Sequence, residues 1–330
     1  MQVAKTLLTL ALVGCVDLAD DTQKDGDTDS AHDTDTTDSG TGNSCSVHLT
    51  DVNPADGAAG FYYRDPLVLS FDGDGTAADI RVTDSAGAEV ATSEAWQDGN
   101  VQVWVYAELQ GAQSYNLAVT IEDCDYATSF ATSDIGTPLT IAPGDLEGRS
   151  FSFALNEANI TTPSIIEGFD DDYFTQPLLF MVTQADTATV TLLGAPGEGE
   201  SGSYSQVVDE PTWDFPAADF TELPYFVTYS DYIELSYAGT PIPIYGFSFE
   251  GVFSSDGTSI EAGRVGGLVD TREMYAFLGL PENPEAICDY ASSFGVYCEE
   301  CPDGNDYCLT VVGEDITAPY QAGLTLVEVE

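Results

Sequence analysis

From residue 45 onward, apolar side chains recur at every second position in short runs, and this alternation constrains the fold more than any other feature. Two such runs are Leu67–Phe71 and residues 117–121. A period of two residues is that of a β-strand with one buried face. Turn sequences such as Asp72-Gly73-Asp74-Gly75 and Asp98-Gly99-Asn100 separate the runs. We therefore predict an all-β chain made of antiparallel sheets.

The 330 residues are enough for two domains and a tether. Seven or so short strands over residues 45–134 predict an N-terminal β-sandwich. Gly136, Pro138 and Pro143 mark a short boundary, and strand patterns then resume. Residues 140–330 are predicted to form a second antiparallel β domain. Periodicity leaves open whether it is a barrel or a sandwich.

Within the second domain, residues 194–222 are rich in Gly, Glu, Ser, Asp and Pro around Trp213 and predict a long loop. Aromatic alternation follows. One predicted face comprises Tyr225, Val227, Tyr229, Ile233, Leu235 and Tyr237, and another comprises Tyr245, Phe247, Phe249 and Phe253. This alternation places most tyrosines in a core rather than on a sugar-stacking platform. A last strand is predicted around Leu324, Val327 and Val329.

One short helix is predicted near the C-terminus. Asn283 is suited to cap it and Pro284 to occupy its first position. Its predicted apolar stripe consists of Ile287, Ala291 and Phe294.

The N-terminus has the pattern of an export signal. Lys5 precedes an apolar run over residues 6–13 that is too short to span a bilayer. The end of this run and the two residues after it, Leu12-Val13-Gly14-Cys15, resemble the lipobox of bacterial lipoproteins. The resemblance implies that residues 1–14 are removed as a signal peptide and that Cys15 carries lipid. Val16, where an inner-membrane retention signal would have Asp, favours the outer membrane by the same resemblance.

Residues 15–44 are mostly Asp, Thr, Ser and Gly and predict an acidic, disordered tether. Within it, residues 25–29 alternate Asp with small residues, as calcium loops do. However, Ser30 stands where such a loop has Gly, so a solvated spacer is favoured.

Five segments of residues 45–134 resemble a bacterial Ig-like domain: Asn53-Pro54-Ala55-Asp56-Gly57, the strand ending in Phe71, Val82-Thr83-Asp84-Ser85-Ala86-Gly87, Leu109-Gln110-Gly111-Ala112-Gln113-Ser114-Tyr115 and the closing Phe130-Ala131-Thr132. The resemblance implies a spacer or binding module and brings no active site with it. The C-terminal half resembles uncharacterised lipoproteins of predatory and marine bacteria, which implies no function.

The chain has seven cysteines, and six remain when Cys15 is set aside. An even number in an exported chain predicts disulfides. Cys45 and Cys124 are expected to bridge the first domain. Two further disulfides are expected among Cys288, Cys298, Cys301 and Cys308, and three pairings remain open. A zinc site is less favoured because only one pair, Cys298 and Cys301, is closely spaced.

The charge is strongly negative, with 57 acidic and 7 basic residues and a net charge of −50. Such a surface repels nucleic acid and anionic lipid head groups and attracts cations. Asp170, Asp171 and Asp172 are a candidate cation or sugar site, although an acidic loop between packed aromatics is favoured. Arg264 and Arg272, close to Asp270, predict an internal ion pair.

Only two histidines occur, His32 and His48, and neither lies in the second domain. A Ser-His or Cys-His catalytic group is therefore excluded there. We expect no enzyme activity and no cofactor, with calcium left open. The predicted role is non-catalytic binding, adhesion or envelope structure. The membrane is the expected partner through lipid on Cys15, together with a protein or glycan of unknown identity. The alternatives, both within residues 140–330, are a carboxylate-dependent carbohydrate-active enzyme and a calcium-dependent ligand-binding barrel.

Overall fold

A computed structural model describes residues 45–163, 175–200, 202–237, 239–276 and 282–329. The predicted signal peptide, the tether with Cys15, and Asp170, Asp171 and Asp172 lie outside these residues. The described residues are mostly strands with one short helix. The predicted all-β class is therefore confirmed.

Residues 45–134 form two four-stranded sheets that pack face to face. Their strands are β1 (Leu49–Asn53), β2 (Ala58–Phe61), β3 (Leu67–Phe71), β4 (Asp79–Asp84), β5 (Thr92–Gln97), β6 (Gln102–Ala107), β7 (Ser114–Ile121) and β8 (Cys124–Thr132). The strand orders are β1-β3-β6-β5 and β2-β8-β7-β4. The pairs are antiparallel except β2 with β8, which is parallel.

The core of this first sandwich follows the alternation seen in the sequence. In β7, exposed and buried residues alternate through all eight positions. Leu67 and Leu69 of β3 are fully buried and pack in the same cluster as residues of β7. Both sheets thus bury the face that the period of two predicts.

Residues beyond the boundary form a second pair of sheets. The strands are β9 (Ser150–Ala154), β10 (Asn159–Thr162), β11 (Pro177–Ala185), β12 (Thr189–Glu198), β13 (Ser205–Gln206), β14 (Trp213–Asp214), β15 (Ala218–Asp219), β16 (Tyr225–Tyr237), β17 (Thr240–Phe253), β18 (Ser259–Asp270) and β19 (Cys308–Pro319). One sheet has the order β10-β19-β18-β17-β16. The other has the order β13-β12-β11-β9, with β14 and β15 also paired to β12.

One core lies between these two sheets, so the second region is a sandwich rather than a barrel. Phenylalanines from both sheets fill it. The ring centroids of Phe180, on β11, and Phe249, on β17, are 4.6 Å apart, and Phe153 of β9 stacks on Phe180. This cluster is separate from the core of the first sandwich.

The prediction of a long loop over residues 194–222 is wrong in part, because strand pairing interrupts the loop. Strand β12 continues to Glu198, and short strands at 213–214 and 218–219 pair with it. Gly194 allows close packing, because a Cβ atom at this position would lie 2.8 Å from the ring of Trp213. In the sequence this glycine suggested a turn, whereas in the structure it makes room for the buried side chain of Trp213.

The predicted faces of β16 are also wrong in part. Phe226 and Thr228 point into the core, whereas Tyr229 is 60% exposed. Farther along, Ile233 is buried, so the inward phase changes by one residue between Thr228 and Ile233. Tyr225, Val227 and Tyr229 thus share a face as predicted, but it is the outer one. Of the tyrosines whose side chains the structure describes, Tyr115 alone is buried.

Two details at the C-terminal end differ from expectation. The helix α1 runs Ala286–Ser292, and Asn283 accepts a hydrogen bond from the Glu285 backbone in the turn before it. Of the predicted stripe, Phe294 is 57% exposed because it lies beyond the helix end. The described residues after β19, 320–329, form no strand; instead, the side chain of Gln206 donates to and accepts from the Val327 backbone.

Candidate functional site

A cleft of about 570 Å³ lies where the two sandwiches meet. One wall comes from the end of β2, the segment between β2 and β3, and the residues just after β8, and the other is the outer face of the five-stranded sheet. The side chains that give the cleft its chemistry are Tyr62, Arg64, Asp65, Tyr225, Glu250, Arg264, Glu314 and Asp315. Of the described residues that line it, none is a histidine or a cysteine.

The sheet side of the cleft is fixed by an ion-pair network. Glu250 follows the buried Phe249 on β17 and so projects from the opposite face of the sheet. The Nε atom of Arg264 lies 3.0 Å from Oε1 of Glu314, and its Nη1 atom lies 3.7 Å from Oε1 of Glu250. The Tyr225 hydroxyl donates to Oε2 of Glu250 over 2.8 Å.

Arg64 joins the two sandwiches across this cleft. Its Nη1 atom lies 2.7 Å from Oε2 of Glu222, and its Cζ atom lies 3.6 Å from the centroid of the Tyr225 ring. Arg64 belongs to the first sandwich, and both partners belong to the second. A guanidinium over a tyrosine face is a cation–π contact. Arg64 therefore contributes a direct contact between the two cleft walls.

The backbone at the cleft departs from regular pairing. Ala262 and Asp315 have φ angles of 45° and 60°, which non-glycine residues rarely adopt. They lie where the register of β18 against β19 shifts. The Asn159 amide donates to Oδ2 of Asp315 over 3.1 Å. Such bulges re-aim side chains, and here they hold Asp315 at the cleft.

The cleft keeps an excess of negative charge. Desolvation, followed by the charges of Glu314 and Asp315, raises the pKa of Asp65. Desolvation, together with the hydrogen bond to Glu250, raises the pKa of Tyr225 well above its usual value. Arginine offsets only part of the charge, so the site favours a ligand that brings hydrogen-bond donors or positive charge.

The other predicted residues lie elsewhere. Arg272 pairs with Asp270, and its Nη1 atom lies 2.5 Å from Oδ2 of Asp303. These bonds raise the pKa of the guanidinium. The predicted ion pair near Asp270 is therefore present for Arg272, whereas Arg264 pairs with Glu250 and Glu314 instead.

The six described cysteines form three disulfides, and in the second region each cysteine is joined to its neighbour in the sequence. The disulfides are Cys45–Cys124, Cys288–Cys298 and Cys301–Cys308. Among the residues that the structure describes, Asp270, Cys301 and Cys308 form the one cluster with metal-ligand spacing. Both sulfurs are committed to a disulfide and cannot act as thiolate ligands.

Sequence reasoning did not predict the cleft: it assigned Tyr225 to a core face and Arg264 to an ion pair near Asp270, and it did not single out the other cleft side chains. Arg64 offered the clearest signal, since the chain has only seven basic residues and this one lies in an aromatic loop segment. Glu250 and Glu314 offered none, because carboxylates occur throughout the chain. Within the described ranges, no helix is long and apolar enough to span a bilayer.

Comparison with known proteins leaves the family open. No protein-family model matches the chain, and no curated protein matches it significantly. One similar solved structure is an uncharacterized protein of Listeria monocytogenes EGD-e in complex with α-D-glucose, β-D-glucose, magnesium and calcium. It is 11% identical with a TM-score of 0.16, and the match covers 67% of this chain and 21% of that one. The chain thus spans about a fifth of the length of that neighbour.

Proposed function

We propose that this protein is an outer-membrane lipoprotein, anchored through Cys15, with a non-catalytic binding, adhesion or structural role. Its ligand binds in the cleft between the two sandwiches. The observation that carries the proposal is the cysteine pairing. All six cysteines of the described residues form disulfides, and the sequence has a seventh, Cys15.

Disulfides persist in oxidising compartments outside the cytosol. Three of them in one chain support export, as the N-terminal sequence predicts. Because the six described cysteines pair with one another, Cys15 is the cysteine that remains for acylation. Several acyl chains on one residue hold a protein at a membrane firmly, whereas one chain holds it weakly.

The cleft supports a binding role for the folded part. It combines tyrosine faces, fixed carboxylates and arginines held in ion pairs. Concave sites at domain junctions are preferred positions for ligands. A ligand that contacts Arg64 and Glu250 together would touch both sandwiches.

Intact mass of the protein purified from membranes tests the anchor. We expect a chain that starts at Cys15, carries acyl groups, and gains six hydrogens on reduction of its three disulfides. A Cys15→Ala variant should lose the acyl mass and leave the membrane fraction. A chain that starts at Met1 without acyl groups refutes the anchor.

Thermal unfolding with added probes tests the cleft. Suitable probes are spermidine, hexalysine, a neutral oligosaccharide such as maltohexaose, and calcium chloride. A probe that binds the folded state raises Tm. That rise should shrink in Glu314→Gln and persist in Glu200→Gln, since Glu200 is an exposed carboxylate outside the cleft. If every probe leaves Tm unchanged, or if both variants respond alike, the cleft is not the binding site.

One observation favours a second candidate, a carboxylate-dependent carbohydrate-active enzyme. The raised pKa of Asp65 beside further carboxylates is the pattern of a general acid in sugar hydrolysis. Incubation with soluble polysaccharides and a reducing-end assay tests it. Turnover that disappears in Asp65→Asn would establish the enzyme and overturn the non-catalytic role.

A further inference from the structure

A second surface, on the first sandwich, carries exposed aromatic rings. On β6, Val103 and Val105 are fully buried, and Trp104 and Tyr106 alternate with them. Trp104 is therefore turned outward and is 38% exposed, and Tyr106 is 45% exposed. We propose that this outer face of the sheet β1-β3-β6-β5 binds a neutral glycan chain. The proposal concerns a different surface from the cleft and goes beyond the function proposed above.

The two rings form a platform rather than one packed pair. Trp104 Nε1 lies 3.3 Å from Oε1 of Gln102, to which it donates. Gln102 precedes it by two residues on the same strand, so the indole leans along β6 away from Tyr106. Residues two apart on a strand are separated by about 7 Å. Each ring is therefore available to its own sugar unit.

The strands beside β6 give the platform an apolar row and a polar row. Val68 on β3 and Ala95 on β5 are the register partners of Trp104. The next row along holds Asp51, Ser70, Gln102 and Gln97 in register across all four strands. Aromatic faces pack against the C–H groups of a pyranose ring, and the neighbouring oxygens accept bonds from its hydroxyls.

The charge of the protein limits which ligands can bind this face. Every described arginine is held elsewhere: Arg64, Arg81, Arg264 and Arg272 in ion pairs, and Arg149 on backbone carbonyls. Among the described residues, no arginine or lysine thus stands on this face, and the net charge of −50 repels polyanions. A neutral, hydroxyl-rich chain complements the ring faces and the acceptor-rich row.

Native affinity electrophoresis of the full chain tests the proposal. Gels contain laminarin, galactomannan or dextran as neutral polysaccharides, or alginate as the anionic one. The large negative charge gives the protein high mobility, so binding appears as retardation. We expect retardation by at least one neutral polysaccharide and none by alginate. Trp104→Ala and Tyr106→Ala should each weaken it by about tenfold in Kd, the effect of losing about 1.4 kcal/mol.

Matched variants separate binding from folding. Trp104→Phe keeps an aromatic face and should bind within about threefold of the parent, because the ring contact remains. Tyr297→Ala removes another exposed tyrosine, 76% exposed, and should leave retardation unchanged. Unchanged Tm in Trp104→Ala shows that the fold survives.

Four results overturn the proposal. They are no retardation by any neutral polysaccharide, equal retardation of all variants, retardation by alginate alone, and a dimer that Trp104→Ala converts to a monomer. The last result would show that a second copy of the chain covers this face. Binding of hexalysine that Trp104→Ala abolishes, without retardation by neutral polysaccharides, would assign the rings to a cationic partner instead.

Discussion

Removal of the Arg64 guanidinium tests how the two sandwiches are held together. Its Cζ atom lies 3.6 Å from the Tyr225 ring centroid, and a partly desolvated cation–π contact contributes about 1–2 kcal/mol. Its other partner, Glu222, is 68% exposed, and an exposed ion pair contributes about 0–1 kcal/mol. We expect Arg64→Ala to lower the free energy of unfolding by about 1–2 kcal/mol, most of it from the ring contact.

A double-mutant cycle isolates that contact. Arg64→Ala, Tyr225→Ala and the double variant are unfolded in urea and followed by circular dichroism. The coupling energy should be about 1 kcal/mol or more, and the bond from Tyr225 to Glu250 cancels in the cycle. As a control, Glu222→Gln should change the free energy of unfolding by less than about 0.5 kcal/mol. A coupling energy near zero would refute the assignment of Arg64 as the bond between the sandwiches.

Three further predictions concern stability. Because the folded-state pKa of Asp65 is raised, the native state holds the extra proton between the unfolded and folded pKa values, and ionisation lowers the free energy of unfolding as pH rises through that window. Asp65→Asn should therefore have a higher urea midpoint than the parent at pH 7 and no advantage below the ordinary value of 3.8. Replacing Cys45 and Cys124 by Ala should cost about 4–5 kcal/mol in urea unfolding of the first sandwich, given the separation of 79 residues. Phe249→Ala, at a fully buried ring, should cost about 3–5 kcal/mol in the same assay, whereas Tyr229→Ala should stay within about 0.5 kcal/mol.

Each of these predictions has an opposing result. Equal midpoints for Asp65→Asn and its parent at pH 7 would mean that the carboxylate is not penalised in the cleft. A small loss after removal of the Cys45–Cys124 bridge would mean that the unfolded chain is already compact. Equal losses for Phe249→Ala and Tyr229→Ala would contradict the inward and outward assignment of these rings.

The first sandwich was predictable because its strands each bury one face. In β7 the two-residue period runs without interruption, so each apolar residue marks the core. The second sandwich was harder to predict because some of its strands break that rule. All five residues of β9 are buried, and β12 contains glycine and proline in a buried stretch.

The cleft could not be predicted for a different reason. Its parts come from distant positions, such as Arg64 and Glu314, and only the packing of one sandwich on the other brings them together. Carboxylates are so frequent here that none stands out. The outward tyrosines were assigned to the core because β16 changes phase midway, and alternation alone does not reveal such a change.

The bridge between Cys45 and Cys124 also determines how the protein responds to mechanical pulling. If the chain is tethered at Cys15 and pulled at its C-terminal sandwich, tension enters the folded part at Cys45. It then crosses the sulfur–sulfur bond to Cys124, at the first residue of β8. Residues 46–123 lie inside a closed covalent loop and carry none of this tension along the backbone. Stretching would extend the first sandwich only through β8, so most of its strands are shielded for as long as the bridge stays oxidised.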